Sequence, residues 1–447
     1  MNTTKIPQAG IIGAGIGGLS AAIALRRAGW QCEVFERSSF KNEIGAAITV
    51  TPNATRCLDR WGFNFDKARP TENRQFRLMS AEDLKVVYRQ DYPHLKQQFG
   101  YKSWSFHRVD LHKGLLDLAV EPGEGKGCPA NIRLSCEVEE VNFENGTIVL
   151  SDGSFFEKDL IVVADGAHSH IVNQLSGGSS TLKASGRSIY RCLIPMERLM
   201  SDPAVSTLFE DQGPGFLGIR SGIVDRHNDV FFASYACRGN EVLNCAIVHN
   251  TRSQQGDHQM TSWNEPASLD DILQTIQNFH PTARKILELA SADGADIKVY
   301  NLMIREALST FVRDTTVVIG DAAHVMLPTY AAGGAVTIES AACLGELFEG
   351  ISAPISKDLI KKRLGLYDEL RLGRCNMTML LSNAGFAGIS APGVEAEVRK
   401  FYQGPVPQPG SISWSAEIRA IWFEYDVFEE TAERLELDRE REGGVDS

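Results

Sequence analysis

The apolar pattern changes period within the first thirty residues. Ala9–Gly29, AGIIGAGIGGLSAAIALRRAG, passes from a short apolar strand through clustered glycines into an Ala/Leu-rich amphipathic helix. A second strand at Gln31–Phe35 ends on Glu36, which completes a βαβ pattern. Tyr101–Val120 sets Leu111, Leu115, Leu116 and Ala119 on one helical face, with Arg108 near the helix start and Asp110 as the expected N-cap. Asn131–Ile171 reads as antiparallel strands turning at Asp152–Gly153, then a buried strand in DLIVVADGAHSHIV that holds Asp165 and Gly166. From Arg187 to Val248, short Phe/Tyr/Val-rich segments recur with turn signals between them and no crossover helices. Asp270–Ala290 returns to helix, and Thr315–Gly320 is a further buried strand. It leads through DAAHVMLP to a helix opened by Gly333 and Gly334. Beyond Asp358 the chain is mostly helical, apart from a Gly/Pro-rich loop at Gln403–Gly410. The charged ERLELDREREGGVDS reads as a frayed, solvated terminus.

These elements predict an α/β chain. A discontinuous Rossmann-like nucleotide domain (1–75, 105–178 and 296–385) is interrupted by a β-rich domain (76–104 and 179–295) and followed by helices over 386–447. The nucleotide reading rests on Gly13, Gly15 and Gly18, spaced as G-x-G-x-x-G. The first glycine makes the turn, the second admits a pyrophosphate, and the third lets helix and strand pack closely. Glu36 stands about 20 residues beyond, where a βαβ unit offers a carboxylate to a ribose diol. The small residues Gly45–Ala47 suit backbone lying against something flat, or an ordinary tight strand. Arg108 is either a surface charge or a phosphate partner.

Composition narrows the partners. The 447 residues carry a net charge of −12, which disfavours nucleic acid and anionic membranes. Nine cysteines without C-x-x-C or C-x-x-H spacing suggest reduced thiols acting as small core residues, and no metal site. No apolar run reaches the ~20 residues of a membrane helix. No signal-peptide pattern is evident either, so a cytoplasmic location is expected.

The glycine turn, A-D-G at Ala164–Gly166, and G-D-A-A-H at Gly320–His324 with Pro328 and a glycine-opened helix occur in that order. Together they resemble the single-component FAD-dependent aromatic monooxygenases of the p-hydroxybenzoate and salicylate hydroxylase type, over roughly Ile11–Gly373. IYRCLIP and SYACRGNEVLN look closest to fungal natural-product members. The resemblance implies FAD held by Gly13, Gly15, Gly18, Glu36, Arg37 and Ala47, with Arg108 neutralising a phosphate. It further implies Asp165 at the flavin and nicotinamide side, and Asp321 near the ribityl chain or pyrophosphate. Gly333 and Gly334 would offer N–H groups to the flavin pyrimidine, and Pro328 would line the face where oxygen reacts. Four positions depart from the pattern, in three places. P-x-x-G-Q-G reads Pro328-Thr-Tyr-Ala331-Ala332-Gly333, E-D-A reads Glu339-Ser340-Ala341, and Val172 stands where an arginine is usual.

With one nucleotide fingerprint in the chain, FAD alone would be stably housed, and NADPH or NADH would bind transiently. The resemblance implies a C4a-hydroperoxyflavin that hydroxylates, dearomatises or epoxidises a small electron-rich phenol or indole in a monomer or homodimer. A reductase or oxidase on the same scaffold, or a non-catalytic flavoprotein, is the alternative; the W-x-W-x-I-P motif of a halogenase is missing. Arg191 and Tyr235, in strands of the inserted sheet, are the expected substrate-handling pair, since a charge in apolar surroundings needs a reason. His107, His168 and His324 are weighed as proton donors and read as structural. Arg238 reads as a surface turn residue, and Trp414 and Trp422 as packing for the C-terminal helices.

Overall fold

The computed structural model describes residues 6–40, 46–178, 181–210, 215–221, 229–251, 264–290, 297–411 and 414–443. Gly45 lies outside them. A six-stranded sheet runs in the order Val312–Arg313, Thr316–Val318, Leu160–Val163, Gln8–Ile12, Gln31–Glu36, Asn131–Leu134. It is parallel except for the first pair. Leu160–Val163 is buried throughout and continuously apolar, as a central parallel strand covered on both faces must be. That strand stops before Ala164, so Asp165 and Gly166 belong to the loop at its carboxyl end and not to the strand as expected. Helix Ile16–Arg27 packs on helix Gly333–Leu347 beneath the sheet; a Cβ on Gly345 would meet the Ala24 Cβ at 2.9 Å.

The second sheet has eight strands, ordered Asn264–Pro266, Lys298–Arg305, Leu182–Pro195, Val242–Asn250, Phe231–Cys237, Phe216–Arg220, Gln75–Ser80, Val86–Asp91. Its Lys298–Arg305 strand carries the sheet past the boundary expected at residue 295, because it pairs with Leu182–Pro195. Alternation divides the strands into two faces. Ile194, Ile219, Phe232 and Ile247 pack on helices Leu269–Thr275 and Pro281–Ala290. Ile189, Phe231, Ala233, Ala246 and Tyr300 form the opposite face. A small sheet of Ala47–Val50, Trp104–His107 and Thr71–Glu72 stands between the two large ones.

Several local expectations hold. Asp152–Gly153 turns a hairpin between Thr147–Leu150 and Phe155–Glu157, with Gly153 at φ +84°. Trp414 and Trp422 are buried among Tyr92, Phe99 and Phe423. Two others fail. Asp110 is not the N-cap of helix Arg108–Val120: His107 occupies that place, and Asp110 is held by Arg238. The terminus is not frayed through its charged stretch. Val427–Gly443 is a helix whose Val427, Phe428, Thr431 and Leu435 are buried on one edge.

Candidate active site

The glycine turn is built by exclusion. A Cβ on Gly18 would lie 1.8 Å from the Gly13 carbonyl oxygen, and one on Gly13, at φ +95°, would lie 2.6 Å from the Ala164 oxygen. Among the described residues a Cβ on Gly15 would meet nothing within 4 Å, so this side of the turn leaves room for a ligand. Glu36 accepts from the Ala14 N–H at 2.8 Å and the Ser38 N–H at 2.7 Å, which fixes the turn against the second strand. Arg37 beside it is exposed. Asp165 adjoins the turn: the Gly13 Cβ position is 2.9 Å from its Cα. Burial raises its pKa against the Ser169 hydrogen bond, and its buried Oδ1 has no hydrogen-bond partner among the described residues. An orphan acceptor beside an open glycine face fits a hydroxyl-bearing pyrophosphate ligand such as FAD.

At the other end, Gly320 turns at φ +65° into the short helix Asp321–His324, with Asp321 exposed. Pro328–Tyr330 is a single 3-10 turn, and Ala331 follows at φ +51°, a left-handed position that the family pattern fills with glycine. Helix Gly333–Leu347 then starts with no side-chain cap and no acid in its first turn, leaving its first N–H groups for a ligand. A Cβ on Gly334 would meet the Ile48 Cδ1 at 2.9 Å, so strand Ala47–Val50 lies against this helix start.

The helix is anchored deeper by Glu339, a group that motif reading noted only as part of an altered triplet. Its carboxylate is fully buried and takes hydrogen bonds from Arg371 at 2.7 Å, Arg374 at 2.8 Å and 2.9 Å, and Asn53 at 2.5 Å. Burial pushes its pKa up, but the two guanidiniums outweigh this and hold it at about 2. Arg374 also donates to the Ile421 and Trp422 carbonyls, tying in the C-terminal helices.

Arg191 and Tyr235 project on the open face of the eight-stranded sheet. The Arg191 guanidinium lies 5.8 Å from the Tyr300 ring centroid. Burial lowers its pKa; among the described residues its ionisable neighbours are Tyr235, Tyr300 and Arg108. Burial raises the Tyr235 phenol to about 12, so it is neutral near pH 7. Its hydroxyl donates to the Ala47 carbonyl at 2.9 Å. Phe216 stacks against both Phe76 and Tyr235, at 5.1 and 5.8 Å, and Phe386 closes edge-on against Phe231 at 4.8 Å. Arg108 is exposed, and its backbone N–H donates to the Ala46 oxygen at 2.7 Å.

The structure therefore gathers Ala47, Arg108, Arg191 and Tyr235 at one locus and brings Gly333 and Gly334 beside it through Ile48. Gly13, Gly15, Gly18, Glu36 and Asp165 gather at another. Arg238 forms a turn at φ +52°, as expected, yet its side chain grips both Asp110 oxygens, at 2.7 and 2.9 Å, and approaches His107 at 3.3 Å. Burial and then Arg238 lower the His107 pKa. His168 is exposed, and His324 is buried beside Phe311. Val172 is fully buried and contributes no charge where the family pattern has arginine. Asn244 and Tyr300 were not singled out from the sequence. The available signal was an amide interrupting the apolar strand EVLNCAIVH.

Residues 7–350 match the family model described as FAD binding domain. Hispidin-3-hydroxylase of Neonothopanus nambi is 33% identical over 373 residues, spanning 81% of this chain and 85% of that protein. The FAD-dependent monooxygenase cfoG of Aspergillus candidus is 32% identical, spanning 84% of each. Among solved structures, a salicylate hydroxylase substrate complex superposes with a TM-score of 0.72 at 21% identity, covering 96% of this chain and 98% of that one. CtdE in complex with FAD and substrate superposes with a TM-score of 0.72 at 19% identity and the same coverage. Both share the p-hydroxybenzoate hydroxylase type of FAD-binding fold. The chain belongs to the FAD-binding-domain family and is an FAD-dependent monooxygenase of the aromatic hydroxylase type.

Proposed function

We propose that the protein uses NADPH or NADH and dioxygen to insert one oxygen atom into an electron-rich phenol or indole. The observation that carries this reading is Arg191, a cation on an apolar aromatic sheet face whose ionisable neighbours among the described residues are Tyr235, Tyr300 and Arg108. Such a group favours an anionic oxygen, here the phenolate of a bound substrate. Bound FAD supplies hydride acceptance and oxygen activation. The chain's own residues bind and orient. Gly15 and Asp165 would hold the pyrophosphate and sugar end, with Glu36 and Arg37 at the adenosine and Arg108 on a phosphate. Asp321 would meet the ribityl region. The N–H groups of Gly333 and Gly334 would face the flavin pyrimidine, where helix-dipole charge favours a reduced ring. Pro328 and the Ala46–Ala47 backbone would bracket the ring. Tyr235, neutral and already donating to Ala47, would stand beside the substrate oxygen that Arg191 receives. Phe216, Phe231 and Phe386 exclude water from the substrate face.

Hispidin-3-hydroxylase is named for a hydroxylation, and the insertion of oxygen proposed here is of that kind. The test is a panel of phenols and indoles scored by stimulated NAD(P)H consumption, oxygen uptake and product mass. A product heavier by one oxygen atom supports the proposal. A yellow, folded protein whose NAD(P)H oxidation no member of the panel accelerates contradicts it.

A further inference from the structure

Three backbone hydrogen bonds converge on two residues between the sheets. The Ala46 carbonyl accepts from the Arg108 N–H at 2.7 Å. The Ala47 N–H donates to the Asn244 Oδ1 at 3.2 Å, and the Ala47 carbonyl accepts from the Tyr235 hydroxyl at 2.9 Å. Tyr235 and Asn244 are direct cross-strand partners in the eight-stranded sheet. One rung of that sheet therefore grips both polar groups of Ala47. Asn244 is only 2% exposed, and the Ala47 N–H has its partner in this amide. The adjoining Ile48 touches the start of helix Gly333–Leu347. The rung thus sets the position of a strand from the nucleotide side relative to the substrate face.

We infer that Asn244 is a positioning residue for the flavin ring: with Tyr235 it clamps the Ala47 peptide and aligns the Ala46–Ala47 backbone against which the ring packs. This rests on the placement of the ring beside Ala47 proposed above. An apolar wall would pack the strand without fixing its register. A paired acceptor and donor fix both its height and its tilt.

The test uses full-length protein stripped of FAD and titrated with FAD alone, read by flavin fluorescence and by visible circular dichroism of the bound ring. Asn244→Leu keeps the shape and removes the acceptor; Asn244→Asp keeps the acceptor; Asn244→Ser shortens the reach and serves if the leucine variant does not fold. The expected result is about tenfold weaker FAD binding with altered visible dichroism in Asn244→Leu or Asn244→Ser, the equivalent of one lost buried hydrogen bond. Asn244→Asp is expected within about threefold of the parent, while apoprotein melting temperatures stay close together. Unchanged affinity and dichroism in the variants lacking the acceptor, or equal impairment in Asn244→Asp, overturns the inference. Because no substrate is present, this outcome is separate from failure of the proposed reaction, which shows as intact FAD binding without substrate-stimulated turnover.

Discussion

Single side chains carry the charge logic of the site. Among the described residues the ionisable neighbours of Arg191 are two tyrosines and Arg108, so removing Arg191 strips the substrate face of its proposed anion receptor. Arg191→Ala is expected to lower kcat/KM for the best phenol by about 10–100-fold, the worth of a charge-assisted hydrogen bond. FAD affinity stays within about threefold, and paired steady-state kinetics and FAD titration check both. Gly18→Ala acts at the opposite end: its Cβ would fall 1.8 Å from a backbone oxygen, which no rotamer change relieves. Loss of bound FAD in the purified variant, seen as a colourless preparation, is the expected outcome. Ala331, at φ +51°, holds a conformation that costs an L-residue about 1–2 kcal/mol. Ala331→Gly is expected to bind FAD normally and to melt no lower than the parent, by scanning calorimetry. The glycines and Asp165 were legible because a backbone clash or a motif singles out their type. Asn244 was not, since its role exists only once Val242–Asn250 pairs with Phe231–Cys237 and the Ala47 strand arrives from nearly two hundred residues away.

Among the elements, helix Gly333–Leu347 links the proposed flavin site to the core. Its start faces Ile48, and its middle carries Glu339, clasped by Arg371 and Arg374 of helix Lys357–Asn383. Glu339→Gln leaves two buried guanidiniums facing a neutral amide in place of their carboxylate, and the expected cost is about 3–5 kcal/mol of unfolding free energy by urea titration. Element reading from the sequence succeeded where the apolar pattern was plain, as in the unbroken run Leu160–Val163 and the fingerprint helix. It failed at Val427–Gly443, where acidic and basic residues outnumber the narrow buried edge of Val427, Phe428, Thr431 and Leu435. It also misplaced the end of the β-rich segment, because Lys298–Arg305 declares its sheet only by pairing with Leu182–Pro195.

On the scale of the whole molecule, the eight-stranded sheet is fastened to the nucleotide side at Ala47 and, through Arg238, at Asp110. Behind it, the Glu339 cluster joins helix Gly333–Leu347 to the C-terminal helices. That cluster sets an acid limit. The Glu339 pKa in the folded chain, about 2, lies below its ordinary 4.5, so its stabilisation is complete above about pH 4.5 and is lost as pH falls toward 2. Melting temperature is expected to fall through that window in the parent, with the Glu339 share of the fall missing in Glu339→Gln. The order of motifs made the overall architecture readable, because the glycine turn, A-D-G and G-D-A-A-H each mark a strand end of one sheet. How the second sheet meets that one was not readable, since it depends on contacts between residues with no motif. The central claim, that this scaffold transfers one atom of dioxygen to a phenol or indole, is tested most directly with heavy-isotope dioxygen, NADPH and the most stimulating substrate of the panel. One labelled oxygen per product molecule, with one NADPH consumed for each, is the expected result. NADPH consumption that yields only reduced oxygen, with no label in any product, would contradict it.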